Sequence, residues 1–200
     1  IVLIDAMQAL NAGPEAVADL ERALTEILAC FRIGGGNFLT GLFSRRIDRI
    51  LIAATKADHI HHESHDRLQA IVRRLADRAI ERASFSGAQV EALALAAVRA
   101  TREGTVRHGG ETLPVIIGTP LAGETIDGET FDGETETAVF PGDLPARADA
   151  ALKGGADGPF LRFVRFRPPR LERTAEGLTL SLPHIRLDRA LEYLIGDQLA

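Results

Sequence analysis

An uninterrupted apolar run at 50–54 ends abruptly in the polar sequence Thr55-Lys56-Ala57-Asp58. A run of this kind is typical of a strand that is buried on both faces, as in parallel sheets covered by helices. In open α/β sheets, ligands bind beyond the carboxyl ends of such strands. The run therefore predicts an α/β fold with a parallel sheet, and it places Thr55 to Asp58 at the edge where a ligand would bind.

The spacing of Lys56 and Asp58 suits recognition of a purine base. A lysine stem can lie along one face of the ring, while an aspartate in the ring plane accepts hydrogen bonds from the base. Guanine presents N1–H and the exocyclic amine there, and an ionised carboxylate is a pure acceptor; adenine presents an acceptor at N1 instead. Because each charge-assisted hydrogen bond contributes about 1.5–3 kcal/mol, Thr55, Lys56 and Asp58 are predicted to form a base site that prefers guanine. The alternative is that they are solvated residues at a strand end.

A second apolar run, at 1–4, is closed by Asp5. This is the pattern of a Walker B strand, whose aspartate in P-loop NTPases holds the Mg²⁺ that bridges the β- and γ-phosphates. Buried strands often end in aspartate, so the run alone is weak evidence. The run precedes Thr55-Lys56-Ala57-Asp58, the TKAD sequence, and both lie at strand ends, as expected for the two halves of one nucleotide site. In such a site Asp5 would contact Mg²⁺ through a water molecule.

The phosphate-binding loop that should accompany these strands, GxxxxGK[ST] before a helix, does not occur in the sequence. The nearest imitation begins at Gly36 and ends at Gly41, but Leu42 and Phe43 stand where a lysine and a hydroxyl residue are required. We interpret it as a loop. Since Ile1 is not a methionine and lies inside a strand pattern, we expect the chain to be the C-terminal part of a longer protein whose phosphate loop lies upstream.

Four stretches of the chain resemble the YcjX-like P-loop NTPases of proteobacteria, and the likeness runs over nearly the whole chain. They are VLIDAMQALNAGPEAVADLERAL at 2–24, RRIDRILIAATKADHIHH at 45–62, FPGDLPAR at 140–147 and LPHIRLDRALEYLIGDQL at 182–199. The last stretch is highly specific. The resemblance implies a cytoplasmic, stress-linked nucleotide hydrolase that binds GTP or GDP with Mg²⁺, although the family is often described as ATP-binding. It also implies an associated membrane protein as a partner.

The resemblance assigns further site residues. In GTPases a third segment reads the guanine O6 through a backbone amide and covers the base with the next side chain, and Ala97, Val98 and Arg99 occupy that place at the end of the apolar segment 90–98. The usual serine-alanine-lysine order is not kept, so a plain core strand capped by an arginine is the alternative. Where a GTPase has DxxG, this chain has Gln8 in place of the glycine, and Gln8 becomes the candidate for orienting the attacking water.

The composition is compatible with such a protein. With 200 residues and 46% hydrophobic content, the chain can build one sizeable core. Its formal charge of −5 argues against general attraction to nucleic acid. Cys30 is the one cysteine, so no disulfide can form within the chain and a reducing compartment is expected. No apolar run is long enough to span a bilayer. These features agree with a cytoplasmic location.

The sequence pattern changes near the midpoint of the chain, from helical spacing of apolar residues to a sequence rich in glycine and proline. In the first half, helical spacing of apolar residues predicts a helix over 14–31, a short helical turn within 37–48 and a second amphipathic helix over 68–80. We therefore assign 1–101 to the C-terminal part of a P-loop nucleotide-binding domain, with a parallel sheet and flanking helices.

The second half, 102–200, is assigned to a β-rich annex that ends in a C-terminal docking helix. Glycine and proline are frequent in it, and the sequence GETIDGETFDGET, which begins at Gly123, predicts either turns between short antiparallel strands or a mobile loop. This acidic repeat lacks the pattern of a calcium loop. At the start of the closing helix, His184 is expected to pack or to cap.

The segment 160–167 mixes aromatic and basic residues as a strand would, with Arg165 and Arg167 on one face and Arg162 out of phase. Aromatic stacking combined with arginines on phosphates is how single-stranded nucleic acids are held. The alternative function is therefore a non-catalytic interaction module that binds an acidic partner, nucleic acid or a membrane surface through 160–170. The negative net charge and the lack of a recognised binding module make it the weaker hypothesis.

Four histidines, His59, His61, His62 and His65, lie just after Asp58. His61 and His65 are four residues apart, a spacing that on a helix would let both imidazoles bind a metal. A simpler interpretation is that the histidines flank the nucleotide pocket or begin the next helix, and we adopt it.

Overall fold

The computed structural model of the protein describes residues 1–30, 47–85, 87–153, 161–170, 173–174, 177–178 and 182–199. The loop predicted from Gly36 to Gly41 lies outside these residues, and so does nearly all of the helical turn predicted within 37–48. Within the described ranges, no helix has the length and apolar character needed to cross a membrane.

The centre of the fold is a parallel sheet with the strand order β1-β2-β3. Its strands are β1 (Val2–Ile4), β2 (Arg49–Ala54) and β3 (Gln89–Ala94). Successive side chains of a strand point to opposite faces. In β2, Ile50, Ile52 and Ala54 accordingly join one hydrophobic cluster. Leu51 and Ala53 point the other way and join a second cluster. The predicted α/β fold, with a parallel strand buried on both faces, is confirmed.

The apolar segment 90–98 is only partly a strand. Strand β3 ends at Ala94, and Ala97 and Val98 are exposed. The chain leaves the sheet here because Ala96 pairs in an isolated antiparallel bridge with Ile185, far along the sequence. The segment therefore forms a strand followed by a loop at the carboxyl edge of the sheet.

Helices cover the face of the sheet that carries the first cluster. They are α1 (Ala6–Ala12), α2 (Pro14–Cys30), α3 (His65–Leu75) and α4 (Asp77–Phe85). Helix α2 confirms the helix predicted from Pro14, whose fixed φ suits a first helical turn. The sequence reasoning did not predict α1. This helix ends at Gly13, where φ is 105°, a value that glycine adopts without strain.

The single helix predicted over 68–80 is wrong, because the structure contains two helices there. The break falls at Ala76, whose backbone N–H is shared between the carbonyls of Val72 and Arg73. Asp77 then begins α4 and places its negative charge in the first helical turn. Ala76 and Ala79 belong to the same buried cluster as α3. The apolar spacing therefore continues across the break and hides it in the sequence.

Short antiparallel strands follow residue 101, as predicted. They are β4 (Arg102–His108), β5 (Glu111–Gly118), β6 (Thr125–Ile126), β7 (Glu129–Thr130) and β8 (Thr137–Val139), and they precede helix α5 (Ala148–Lys153) and the strands β9 (Arg173–Thr174) and β10 (Gly177–Leu178). One sheet has the order β4-β5-β8. Strands β6 and β7 form a hairpin whose turn residues, Asp127 and Gly128, both have positive φ. The acidic repeat thus forms an antiparallel hairpin.

The strand predicted over 160–167 is wrong for its described part. Residues 161–170 belong to no regular strand and form only an isolated bridge, between Phe166 and Pro120. The hydrogen-bond partners of their backbone N–H groups do not lie on one neighbouring strand. The N–H of Arg162 donates to the carbonyl of Pro141 over 3.0 Å, whereas the N–H of Arg165 donates to a carboxylate side chain. A segment whose hydrogen-bond partners are scattered in this way cannot build a regular ladder.

The chain closes with helix α6 (Leu187–Leu199), which packs on the second face of the parallel sheet. Ala190 is buried there against Leu51 and Leu93. The predicted closing helix is confirmed, but it begins at Leu187, so His184 lies before the helix and does not open it.

Candidate functional site

The carboxyl ends of the parallel strands meet at one edge of the sheet. Ile4, Ala54 and Ala94 are aligned in register, so the residues that follow them lie side by side. Thr55 donates from its backbone N–H and from its hydroxyl to the carbonyl of Ile4, over 2.8 and 3.2 Å. Leu95 donates its backbone N–H to the carbonyl of Ala54 over 2.8 Å. These bonds fix the polar segment that begins at Thr55 between its two neighbours.

Lys56 and Asp5 form a direct ion pair at this edge. Nζ of Lys56 lies 2.6 Å from Oδ2 of Asp5. The other oxygen of Asp5 accepts a hydrogen bond from the backbone N–H of Gln8 over 3.1 Å and so caps helix α1. Lys56 has a left-handed backbone with φ of 61°. That conformation is strained for a residue with a Cβ atom, and such strain clusters at functional sites.

Asp58 is buried and joins this edge to the chain near residue 100. Its Oδ2 atom accepts a hydrogen bond from the backbone N–H of Ala100 over 2.9 Å, and its carbonyl accepts one from the hydroxyl of Thr101. Among the described residues, no hydrogen bond reaches its Oδ1 atom. An ionised carboxylate has about four lone-pair sites, so Asp58 retains acceptor capacity for a ligand.

A cavity of about 310 Å³ opens beside Asp58, a size within the range of about 300–1,000 Å³ that is usual for small-molecule sites. Its wall includes residues from four separate parts of the sequence: Leu3, Thr55, Lys56, Asp58, His59, Leu95, Ala96, Ala97, Val98, Ala100, Phe166 and Pro168. The structure thus brings the predicted base residues Thr55, Lys56 and Asp58 together with Ala97 and Val98.

The loop that carries Ala97 and Val98 is held at both ends by the segment before helix α6. Ala96 and Ile185 exchange backbone hydrogen bonds of 3.1 and 2.8 Å. Arg99 donates its backbone N–H to the carbonyl of Pro183 over 2.7 Å. Within the described residues, the backbone N–H groups of Ala97 and Val98 have no acceptor. Both residues line the cavity, so these two backbone N–H groups lie beside it.

The side chain of Arg99 does not line this cavity. Its guanidinium donates to the carbonyl of Thr101 over 2.9 Å and lies 3.2 Å from Oε1 of Glu103. The loop is bound by the backbone carbonyls of Pro183 and Ile185. The sequence did not identify these two residues as part of the site. The only sequence signal for them was the specific stretch at 182–199.

Asp5 and Gln8 line a neighbouring cavity of about 330 Å³. Its wall also includes Lys56 and His59, which face both cavities, and Arg165. The residues proposed for Mg²⁺ and water are therefore adjacent to the predicted base site but separate from it. Lys56 lies between the two groups and pairs with Asp5.

Two of the histidines have environments that favour the neutral imidazole. Burial lowers the pKa of His59, more than the nearby carboxylate of Asp58 raises it, and the His59 ring lies edge-on to Phe166 with centroids 5.6 Å apart. Burial also lowers the pKa of His65, whose Nε2 atom contacts the carbonyl of Ala57 over 2.8 Å. Because this nitrogen of His65 is occupied by Ala57, it is not available for the metal considered for the pair His61 and His65.

We expect the free energy of unfolding to decrease as the pH is lowered from about 7 to about 5. In the unfolded chain His65 regains its ordinary pKa of 6.5, so below that pH the unfolded state binds a proton that the folded state resists. Stability then falls with falling pH. His65→Gln, whose amide can still donate to Ala57, should lose less stability over this range in urea titrations. An unchanged pH dependence would show that His65 is not the group responsible.

Three of the four arginines in the segment 160–170 are paired with acidic residues of the annex. Arg165 lies 2.7 Å from Glu124, Arg167 lies 3.0 Å from Glu134, and Arg162 lies 3.2 Å from Asp127. Burial acts to raise the pKa of Glu124, but the hydrogen bonds from the backbone and guanidinium of Arg165 outweigh it and lower that pKa. The arginines therefore do not form a purely basic surface.

Changing Arg162, Arg165 and Arg167 together to glutamine should leave the affinity for guanosine, which lacks phosphates, unchanged and lower Tm little. Exposed ion pairs contribute little to stability, and none of the three side chains lines the cavity beside Asp58. Binding to RNA and to anionic vesicles, measured over a range of salt concentrations, checks this expectation. A steep, salt-dependent loss of either binding in the variant would support the interaction module.

Together, the fold and the site define an α/β protein with a ligand cavity at the carboxyl edge of a parallel sheet, where such sheets bind their ligands. The profile of the YcjX-like family, DUF463, matches residues 1–199. The chain belongs to this family, and the resemblance noted in its sequence is confirmed.

Two curated relatives are similar to the whole chain. It is 39% identical over 199 residues to a protein of Escherichia coli strain K12 named Ras-like GTPase YcjX. It is 32% identical over 199 residues to a protein of the same name from Shewanella oneidensis strain MR-1. Both alignments cover 100% of this chain, but 39% and 38% of the relatives. The chain thus spans under two fifths of the length of these curated relatives, whose names indicate a GTPase-like family.

Proposed function

We propose that this chain forms the guanine-binding part of a P-loop GTPase. The observation that carries the proposal is the cavity beside Asp58, where a carboxylate acceptor faces the same space as the backbone donors of Ala97 and Val98. A guanine edge presents donors at N1 and at the exocyclic amine and an acceptor at O6, which matches this set. Adenine instead presents an acceptor at N1 and a donor at its C6 amine, and it has no amine at C2. The shared family name of the relatives supports the same conclusion.

Each residue of the base site has a distinct role in this proposal. Asp58 accepts hydrogen bonds from the base, and its bond from Ala100 fixes the carboxylate in place. The stem of Lys56 covers one face of the ring, while Thr55 ties the segment to strand β1. Ala97 and Val98 supply backbone N–H groups for O6, and Arg99 positions their loop through its bond to Pro183.

Asp5 fits a role toward Mg²⁺ because a hard cation prefers carboxylate oxygens and retained waters. When bound, Mg²⁺ would neutralise charge on the nucleotide phosphates. In the structure Asp5 contacts Lys56 and caps α1. We propose that Asp5 contacts the ion through water, and that Gln8, which lines the same cavity, orients the water used in hydrolysis.

The activity of the whole protein is also a proposal. GTP hydrolysis, a stress-linked role, a cytoplasmic location and an associated membrane protein rest on the family resemblance, with ATP as the less favoured nucleotide. We further propose that 1–101 belongs to the nucleotide-binding domain and that 102–200 is an annex. Phe166 and Pro168 line the cavity, and Ile185 holds the loop beside it, so the annex supports the base site directly.

The chain as given should bind GDP weakly, prefer it over ADP and fail to hydrolyse GTP. The phosphate loop supplies much of the affinity in P-loop proteins, and the sequence contains no GxxxxGK[ST]. Titration with both nucleotides and a phosphate-release assay measure this. Turnover at ordinary GTPase rates in a sample free of contaminating enzyme would contradict the assigned roles, and equal affinity for ADP would contradict the guanine site.

A further inference from the structure

A cluster of potential metal ligands lies in the turn between Asp58 and helix α3. His61, His62 and Glu63 each place one ligand atom within 4.8 Å of the others. This cluster differs from the pair of His61 and His65 considered from the sequence, because it is formed by three consecutive residues at the start of a short 3-10 helix, His62–Ser64, rather than by two residues one turn apart on an α-helix.

His61 supplies the strongest sign that the cluster accommodates a ligand. The residue is 7% exposed, and its Nδ1 atom is buried with no hydrogen-bond partner among the described residues. A buried polar atom without a partner costs free energy, and native proteins rarely leave one. The nearest carboxylate oxygen, Oε2 of Glu63, is 4.0 Å from this nitrogen. That gap is too long for a hydrogen bond. Two ligand atoms of a tetrahedral Zn²⁺ lie about 3.4 Å apart, so a small movement of the exposed Glu63 side chain would bring its carboxylate to that distance.

His62 is held in place by a carboxylate from another part of the chain. Its Nδ1 atom lies 2.5 Å from Oε2 of Glu103 in strand β4, and Glu103 is itself 3.2 Å from the guanidinium of Arg99. A histidine that contacts a carboxylate through one ring nitrogen presents the other to a metal in a fixed orientation. The rings of His61 and His62 are 4.3 Å apart.

We propose that His61, His62 and Glu63 bind a divalent transition metal, with Zn²⁺ as the best match. Two imidazoles and a carboxylate are zinc ligands, whereas Mg²⁺ and Ca²⁺ prefer oxygen ligands alone. His62 and Glu63 are exposed, so solvent completes the coordination. Glu103 is the positioning residue that orients His62. All three ligands belong to the segment after Asp58, and this site does not depend on the proposed guanine site.

Zn²⁺ titration by calorimetry and Co²⁺ absorption spectroscopy test the site, both in the Cys30→Ser background so that the one thiol of the chain cannot bind the metal. We expect one ion per chain and a cobalt spectrum of nitrogen and oxygen ligands. His62→Ala and Glu63→Gln should each weaken Zn²⁺ binding by about a hundredfold or more, and Glu103→Gln by about tenfold. The control His108→Ala removes an exposed histidine outside the cluster and should change nothing.

The variants replace exposed side chains or conserve volume, and circular dichroism verifies that each is folded. Failure of the Cys30→Ser chain to bind Zn²⁺ overturns the proposal. Zn²⁺ affinity that is unchanged in His62→Ala and in Glu63→Gln overturns it as well, since the ion would then be held elsewhere. A loss in His108→Ala equal to that in His62→Ala has the same consequence, because it would indicate unspecific binding to histidines.

Discussion

Replacing Ile52 with alanine should lower the free energy of unfolding by about 2–5 kcal/mol. Ile52 has no exposed surface and lies in the middle strand of the parallel sheet, between β1 and β3. The substitution removes buried methyl and methylene groups and leaves a cavity, because the flanking strands are fixed by their hydrogen-bond ladders and cannot collapse into it. This is the largest stability effect that we expect from a single truncation near the site.

The control for this variant is Ile27→Ala in helix α2. Ile27 is 49% exposed, so the same chemical change should shift stability by no more than about 0.5 kcal/mol. Urea denaturation of both variants gives the comparison. Equal losses at the two positions would mean that β2 is not the centre of the hydrophobic core.

Asp58→Asn should weaken guanine-nucleotide binding by roughly thirtyfold, which corresponds to about 2 kcal/mol. The backbone N–H of Ala100 donates to Oδ2 of Asp58, so the asparagine would turn its carbonyl oxygen toward Ala100 and its NH₂ group toward the cavity. That donor would face the donors of guanine. Xanthine bears an oxygen in place of the exocyclic amine, so the variant should bind XTP more tightly than the wild type does.

Titration of wild type and variant with GTP, XTP and ATP measures this switch. The fold should be preserved, since the amide has nearly the volume of the carboxylate. Asp143→Asn is the matched control, because Asp143 is exposed and outside the cavity. If the wild type binds ATP as well as GTP and Asp58→Asn shifts neither affinity, the TKAD sequence is only the end of a strand.

The central strand and the ligand-binding edge could be predicted because both are determined by residues that are close together in the sequence. A strand buried on both faces needs apolar side chains at every position, and 50–54 meets that requirement. Parallel strands bring their carboxyl ends to one edge, so Asp5 and Thr55 were expected at the same edge; the structure shows that their strands are also adjacent.

The helix boundaries were harder to predict. Helix α1 has few residues, and its capping residue, Asp5, was interpreted only as a ligand. The break at Ala76 leaves the apolar spacing intact, because α3 and α4 pack on the same cluster.

The supports of the candidate site could not be predicted because they are backbone groups. Ala100, Pro183 and Ile185 act through an N–H or a carbonyl that every such residue carries, so no residue type marks them. The pairing of Arg165 with Glu124 is similar. Both charges are visible in the sequence, but only the fold shows that they meet.

The position of a bound guanine base tests the central proposal most directly. A crystal structure of the protein with GDP should place the base in the cavity beside Asp58, with its N1–H and exocyclic amine directed at the Asp58 carboxylate and O6 facing Ala97 and Val98. The stem of Lys56 should lie against the ring. A base bound outside this cavity, or one that makes no contact with Asp58, would contradict the assignment.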